Sequence, residues 1–294
     1  MMAKLYLGCR GWNHADWVGS YYESGSRELE KLSRYAADFP TVEVPDTFAG
    51  LPPTSLVRSW CDAVPDTFQF AFRVPQQISH ERRFLDTDRL LGRFLDRLMP
   101  LGGRLGPLLL TVSVRMVPTA ETRRVLGSLI HSLPAGFRWV LECRRTDWLT
   151  GVLLDLLRSR NVALALADDR WIRRRLMLDL ACQPTADFAY VRWVDRSGDR
   201  TGRSAKPDSF QRTVSSWSQS IAGLREKVKC VFGYFSNRAG GDPLPQKAAV
   251  LQGLADRGRH VTAEPNPLLP TSQLCIFCRN ESTRCSCPDQ TDES

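Results

Sequence analysis

The sequence predicts a (β/α)8 TIM-like barrel with a short C-terminal Cys-rich appendage. Three observations lead there. Eight short runs of β-type residues alternate with longer amphipathic stretches, and strands joined in that way are parallel, because each parallel connection needs a crossover that a helix supplies. The length, 294 residues, suits one such barrel plus an extension. No G-x-G-x-x-G follows any strand, which places the open doubly wound sheet behind the closed barrel.

The predicted strands are Leu5 to Cys9, Thr41 to Val44, Gln69 to Val74, Leu108 to Val112, Arg138 to Cys143, Val162 to Ala167, Phe188 to Trp193 and Lys229 to Phe235. Helical patterns between them include Arg27 to Phe39, Ser55 to Val64, Asp86 to Met99, Ala120 to Leu133 and Thr150 to Arg160. In Asp86 to Met99 the residues Leu90, Leu91, Phe94, Leu95 and Leu98 recur at spacings of 3 and 4, which gives one buried helix face. Ser197 to Ser209 reads as a polar loop after the seventh strand, and the chain turns proline-rich from Pro265. The barrel domain is therefore expected over 1–264, with a Pro-containing linker and tail over 265–294.

Hydrophobic residues make up 43% and charged residues 24% of the chain, a globular composition able to bury a large core. No apolar run approaches the roughly 20 residues that span a bilayer. Met1 to Arg10 is too short and polar for a signal peptide, so the expectation is a cytoplasmic protein with no membrane partner. Cys9, Cys61, Cys143, Cys182 and Cys230 are scattered and read as reduced core residues, not a disulfide framework. The net charge is +8, carried by 34 Arg against 6 Lys. Genomic base composition explains that excess without function. An anionic partner explains it through bidentate guanidinium–phosphate pairing.

In a barrel of this kind, chemistry sits at the carboxyl ends of the strands. An Arg lies at or just after seven of the eight strands, where about four are expected by chance in a chain of this composition. These positions are Arg10, Arg73, Arg115, Arg144, Arg170, Arg192 and Arg238. Glu43 and Glu142 end two apolar strands. Each reads either as a catalytic general acid/base or as half of a Glu–Arg pair holding the barrel top together. Asp168 with Asp169 reads as a helix cap beside a catalytic alternative. Arg173 to Arg175 reads as a solvated helix face beside a phosphate clamp. Trp12, Trp17, Trp148, Trp171 and Trp193 fall near the same end, suited to barrel-top packing or to stacking on bases or sugars. The four His residues form no H-E-x-x-H or other spaced metal set, and no cofactor is expected in the barrel.

Ordered pieces of the chain resemble the YecE-like family (domain of unknown function 72) from about Lys4 to Leu254. They are Gly8-Cys9-Arg10-Gly11-Trp12 with Trp17; Val42-Glu43 with Thr47-Phe48; Phe72-Arg73-Val74-Pro75 with Ile78-Ser79-His80; Leu105-Gly106-Pro107; Glu142-Cys143-Arg144 with Trp148; Tyr190-Val191-Arg192; and Tyr234-Phe235-Ser236-Asn237. The resemblance implies a TIM barrel but no reaction, and its outline is similar to sugar-phosphate isomerase and apurinic-endonuclease barrels. Glu43, His80, Glu142, Arg144, Asp168, Arg192 and Asn237 match the family pattern. The chain departs from it at Pro45 (usually Asn), Arg73 (usually Lys), Thr111 (usually Gln), Arg145 and Val194 (commonly His), and Ser236 (usually Asn).

Cys275, Cys278, Cys285 and Cys287 form C-x2-C-x6-C-x-C. Four thiolates so close can surround one Zn²⁺ tetrahedrally. A redox-active or iron–sulfur role and an unliganded tail are the alternatives, and a protein partner docking through this tail is a further expectation. For the barrel, the sequence supports a hydrolase or lyase acting on a phosphate-containing, sugar or nucleic-acid substrate. Glu43 and Glu142 would be its catalytic groups, with Arg73, His80, Arg144, Asp168, Arg192 and Asn237 holding an anionic small molecule or nucleic acid. A non-catalytic nucleic-acid-binding or scaffold protein with a divergent mouth is the rival reading. Whether the chain is an enzyme stays open at this level.

Overall fold

Eight parallel strands close into a barrel in the order in which they occur in the chain. They are β1 (Lys4–Arg10), β2 (Thr41–Val44), β3 (Gln69–Arg73), β4 (Leu105–Val112), β5 (Trp139–Cys143), β6 (Ala163–Asp168), β7 (Phe188–Trp193) and β8 (Cys230–Phe235). β8 pairs with β1 from Lys4↔Cys230 to Cys9↔Phe235, which shuts the sheet. The computed structural model describes residues 2–194, 207–236 and 244–258. The chain divides into one unit from Met1 to Arg257 and another from Gly258 to Ser294; the first is described below. Among the described residues no helix is long and apolar enough to cross a membrane.

The connecting helices are α1 (Glu28–Asp38), α2 (Thr54–Asp62), α3 (Asp88–Leu98), α4 (Ala120–Ser132), α5 (Gly151–Ser159), α6 (Arg174–Ala181), α7 (Pro207–Lys227) and α8 (Leu244–Gly258). α3 buries Leu91, Phe94, Leu95 and Leu98, the face that the periodicity marks. It starts two residues later than the pattern, because Asp86 is held at φ 48°, outside the helical region. α4 and α5 begin after Thr119 and Thr150, whose hydroxyls accept the N–H of Thr122 and Leu153. Thr150 is thus the cap of α5, not its first residue.

Each strand is buried on both faces, as in parallel sheets generally, and alternation divides its residues between two cores. Ala71, Leu109, Val140, Ala163, Ala165, Phe188, Tyr190, Phe232 and Tyr234 fill the barrel interior. The intervening residues, such as Val42, Leu110, Leu141 and Val191, meet the helices. Gly8 is required where β1 and β2 approach, since a Cβ there would fall on the carbonyl oxygen of Thr41.

The same alternation fixes what reaches the mouth. Glu43 stands two positions after inward-facing Thr41, Arg73 two after Ala71, Thr111 two after Leu109, Glu142 two after Val140, and Arg192 two after Tyr190. These side chains cap the interior core at the carboxyl ends of their strands. Aromatic packing stiffens the layer outside them. Trp17 stacks on Tyr35 at 6.2 Å, and the Tyr35 hydroxyl accepts the Cys9 N–H at 2.7 Å and donates to the Thr41 carbonyl at 2.9 Å. Trp148 donates its indole N–H to the Met116 carbonyl at 2.8 Å. Trp12, Trp17, Trp148 and Trp193 are all buried, so these four indoles are packing, whereas Trp171 keeps 37% of its surface exposed.

Candidate functional site

Arg192 lies at the centre of the mouth, 2% exposed, on the penultimate position of β7. Its Nε donates to Glu43 Oε2 at 2.8 Å and its Nη2 to Glu43 Oε1 at 2.9 Å. Its Nη1 donates to Glu142 Oε2. Glu43 also accepts from Arg10 Nε at 2.9 Å and from the Tyr190 hydroxyl at 2.8 Å, while Arg144 Nε donates to Glu142 Oε1 at 2.8 Å. One network thereby joins β1, β2, β5 and β7 across the barrel top.

Burial alone would raise the pKa of Glu43, but the charges of Arg192 and Arg10 outweigh it and hold the carboxyl at about 2. For Glu142 burial is likewise overcome, by Arg192 and Arg144, and its pKa is also about 2. Burial opposes the charge of Arg192, yet Glu142 and Glu43 raise its pKa. Carboxylates so firmly ionised and so fully hydrogen-bonded have little affinity for a proton at neutral pH, and a general base needs a pKa near the working pH. Of the two readings for Glu43 and Glu142, the geometry favours the brace. Arg192, expected from the sequence to hold an anion, donates through each of its three nitrogens to these two glutamates.

Arg73 is different. Its guanidinium stacks on the Phe48 ring at 3.8 Å. Its Nε is buried without a hydrogen-bond acceptor, and it forms no ion pair among the described residues. Burial and the neighbouring Arg192 push its pKa down to about 10, against the pull of Glu43 and Glu142. The 3-10 turn Asp46–Phe48 after β2 sets this stack, with Thr47 donating to the Arg73 carbonyl at 2.7 Å. Thr111, next to Glu142 across the β4–β5 ladder, is buried, and its hydroxyl has no partner among the described residues. His80 stands half-buried on the turn after β3, edge-on to Phe48 at 5.0 Å. Among the described residues of this cluster, the guanidinium groups of Arg10, Arg73, Arg144 and Arg192 outnumber the carboxylates of Glu43, Glu142 and nearby Asp169.

Asp168 does not join this network. It follows inward-facing Ala167 and so points outward, where its carboxylate accepts from Arg174 at 2.7 Å and from the Trp217 indole at 2.9 Å. It ties β6 to α6 and α7, a fastening role where the sequence suggested substrate contact. Asp169 accepts the N–H groups of Trp171 and Ile172 at 2.8 and 3.4 Å, capping the turn after β6, not α6 itself. Of the arginine triplet, Arg173 and Arg175 are exposed and Arg174 holds Asp168. Asn237 and the cysteines 275, 278, 285 and 287 lie outside the described residues.

Sequence reasoning passed over Tyr190, Thr111, Phe48 and Ser79 as site residues. Tyr190 and Thr111 carried a usable signal, since each shares strand parity with a residue of the mouth or the interior core.

The family model described as "Protein of unknown function DUF72" matches residues 6–273. The chain belongs to the DUF72 family. Among curated relatives of this DUF72 protein, UPF0759 protein YecE of Escherichia coli (strain K12) is 34% identical over 147 residues, covering 49% of this chain and 50% of that one. The chain thus spans about half the length of the YecE relatives it matches. UPF0759 protein YunF of Bacillus subtilis (strain 168) is 22% identical over 258 residues, covering 81% of this chain and 90% of that one. A DUF72 family protein of Thermotoga maritima MSB8 superposes with a TM-score of 0.70 at 19% identity, covering 86% of this chain and 99% of that one. One of Enterococcus faecalis V583 gives 0.66 at 18%, covering 87% and 98%. These superpositions show the shared fold.

Proposed function

We propose that the barrel mouth binds a phosphate-bearing ligand, either a phosphorylated small molecule or a nucleic-acid phosphate, with Arg73 as the anchoring cation. The observation that carries this is the unpaired, largely buried guanidinium of Arg73. Buried charges are ordinarily paired, and a planar guanidinium suits phosphate oxygens. Thr111 adds a buried hydroxyl with no other partner among the described residues. The site's place at the carboxyl ends of the strands suits a hydrolase or lyase, because preorganised cations stabilise the charge that develops when a phosphate ester is cleaved. Titration with inorganic phosphate tests the reading: Arg73→Gln should weaken binding by about 10- to 100-fold, the worth of a lost charge-assisted hydrogen bond. Equal affinity in the two proteins would sink it.

A second reading, nucleic-acid binding without chemistry, rests on the rim. Arg170 lies over the exposed Trp171 ring at 4.6 Å, and Arg115 and Arg173 are exposed and form no ion pair among the described residues. It predicts affinity for single-stranded nucleic acid that falls steeply with salt. Salt-independent affinity would remove it.

A further inference from the structure

His80 is held by an unusual piece of backbone. It sits on a single π-helical turn, Gln77–Glu81, a rare conformation that is frequent at functional sites. Arg83, Phe84 and Asp86, which follow, have φ of 49°, 69° and 48°, costly values for residues other than glycine. The turn is fastened by Phe84, which is buried and donates its N–H to the Ile78 carbonyl at 2.9 Å. This arrangement fixes the imidazole beside Phe48, the same ring whose face carries Arg73. Nδ1 shares a hydrogen bond of 2.8 Å with Ser79 Oγ, and Nε2 has no partner among the described residues.

The charged groups that face His80 are Arg73 from β3, Glu142 from β5 and Arg144 from the residue just after β5. Burial, then Arg144 and Arg73, push its pKa below the ordinary histidine value, against Glu142. With no ligand anion beside it, burial and the two guanidinium groups thus disfavour the protonated ring.

We infer that a dianionic phosphate group seated on Arg73 is bound together with a proton, taken up by His80. A dianion reverses the local field that the two guanidinium groups impose on the ring. The imidazolium then offers Nε2–H as one more donor to the ligand. The inference rests on the anion site proposed above, and it singles out dianions over monoanionic ligands.

Sulfate is the probe, because it remains a dianion from about pH 5.5 to pH 8, so any pH dependence of its binding across the histidine range belongs to the protein. Calorimetric titration with sodium sulfate, in pairs of buffers of different ionisation enthalpy, reads the protons taken up. The expected result is uptake approaching one proton per sulfate between the free and bound pKa values of His80. Affinity should rise as pH falls, by up to about tenfold per pH unit. His80→Gln should bind sulfate with neither uptake nor pH dependence. As a check that needs no variant to fold, the His80 ring signal in the native protein should titrate at higher pH with sulfate present. Sulfate binding by the native protein without proton uptake overturns the inference and leaves the anion site standing, as does undiminished uptake in His80→Gln. Absence of sulfate binding at every pH overturns the anion site and this inference with it.

Discussion

Arg192 and Glu43 meet face to face through two hydrogen bonds, of 2.8 and 2.9 Å, from residues 149 apart in the chain. The pair is almost wholly removed from water. A bidentate contact fixes the plane of both groups, and the third arm of Arg192 carries that constraint to Glu142. The mouth is thus built on an ionic floor, and among the described residues Arg73, Thr111 and His80 stand in that layer with donors or acceptors to offer, beside the outer nitrogens of Arg10 and Arg144.

Removing Arg192 strands two buried carboxylates. Arg192→Met should cost about 3–5 kcal/mol, as breaking a buried ion pair from one side does. Arg192→Lys should recover little, because an ammonium cannot form the planar fork. The triple variant Arg192→Met, Glu43→Gln, Glu142→Gln should recover part of the loss. Denaturant unfolding of the four proteins checks this, and a single variant as stable as the native chain would refute the floor.

Acid should loosen the same network. Glu43 and Glu142 are held at about 2 in the folded chain, below the ordinary carboxylate range, by the guanidinium charges that outweigh their burial. A depressed folded pKa contributes stability that is present above the unfolded value and is lost as pH falls through the folded one. Unfolding midpoints should therefore drop between about pH 5 and pH 2. Glu43→Gln with Glu142→Gln should flatten that slope. If the double variant follows the native curve, the acid sensitivity arises elsewhere.

The strands were legible from sequence because each is an apolar run between polar connections; all eight fall within three residues of their expected limits, β4 starting earliest at Leu105. What lay at their ends was harder to rank. Parallel strands are apolar on both faces, so composition does not tell the inward face from the outward one. Asp168 and Glu142 look alike at the ends of β6 and β5, yet one strand position separates a residue facing α7 from one facing the mouth. Arg192 and Arg73 look alike too. Only the pairing of Arg192 with two glutamates, against the solitary stack of Arg73 on Phe48, tells them apart, and those contacts come from different strands. The turn carrying His80 was invisible for a further reason: positive φ at Arg83, Phe84 and Asp86 is imposed by packing against local preference.

Asp168 offers a direct contrast between fastening and binding. Asp168→Ala leaves the buried Trp217 indole without this acceptor and should cost about 2 kcal/mol. Asp168→Asn keeps an acceptor for Trp217 and should cost roughly half as much. Both should bind sulfate as the native chain does. Native stability together with lost sulfate affinity would return Asp168 to the ligand site.

The four-cysteine tail makes an independent prediction, from spacing alone. If C-x2-C and C-x-C close around a tetrahedral ion, the purified chain should carry one zinc, released as the thiolates are protonated in acid. Elemental analysis reads this directly. Cys275→Ser with Cys278→Ser removes half of the ligands and should abolish the metal while leaving the barrel's unfolding transition in place. Iron in place of zinc would point to a cluster. A metal-free chain would reduce the tail to an unliganded segment, and any protein partner would then have to recognise it without a metal-fixed shape.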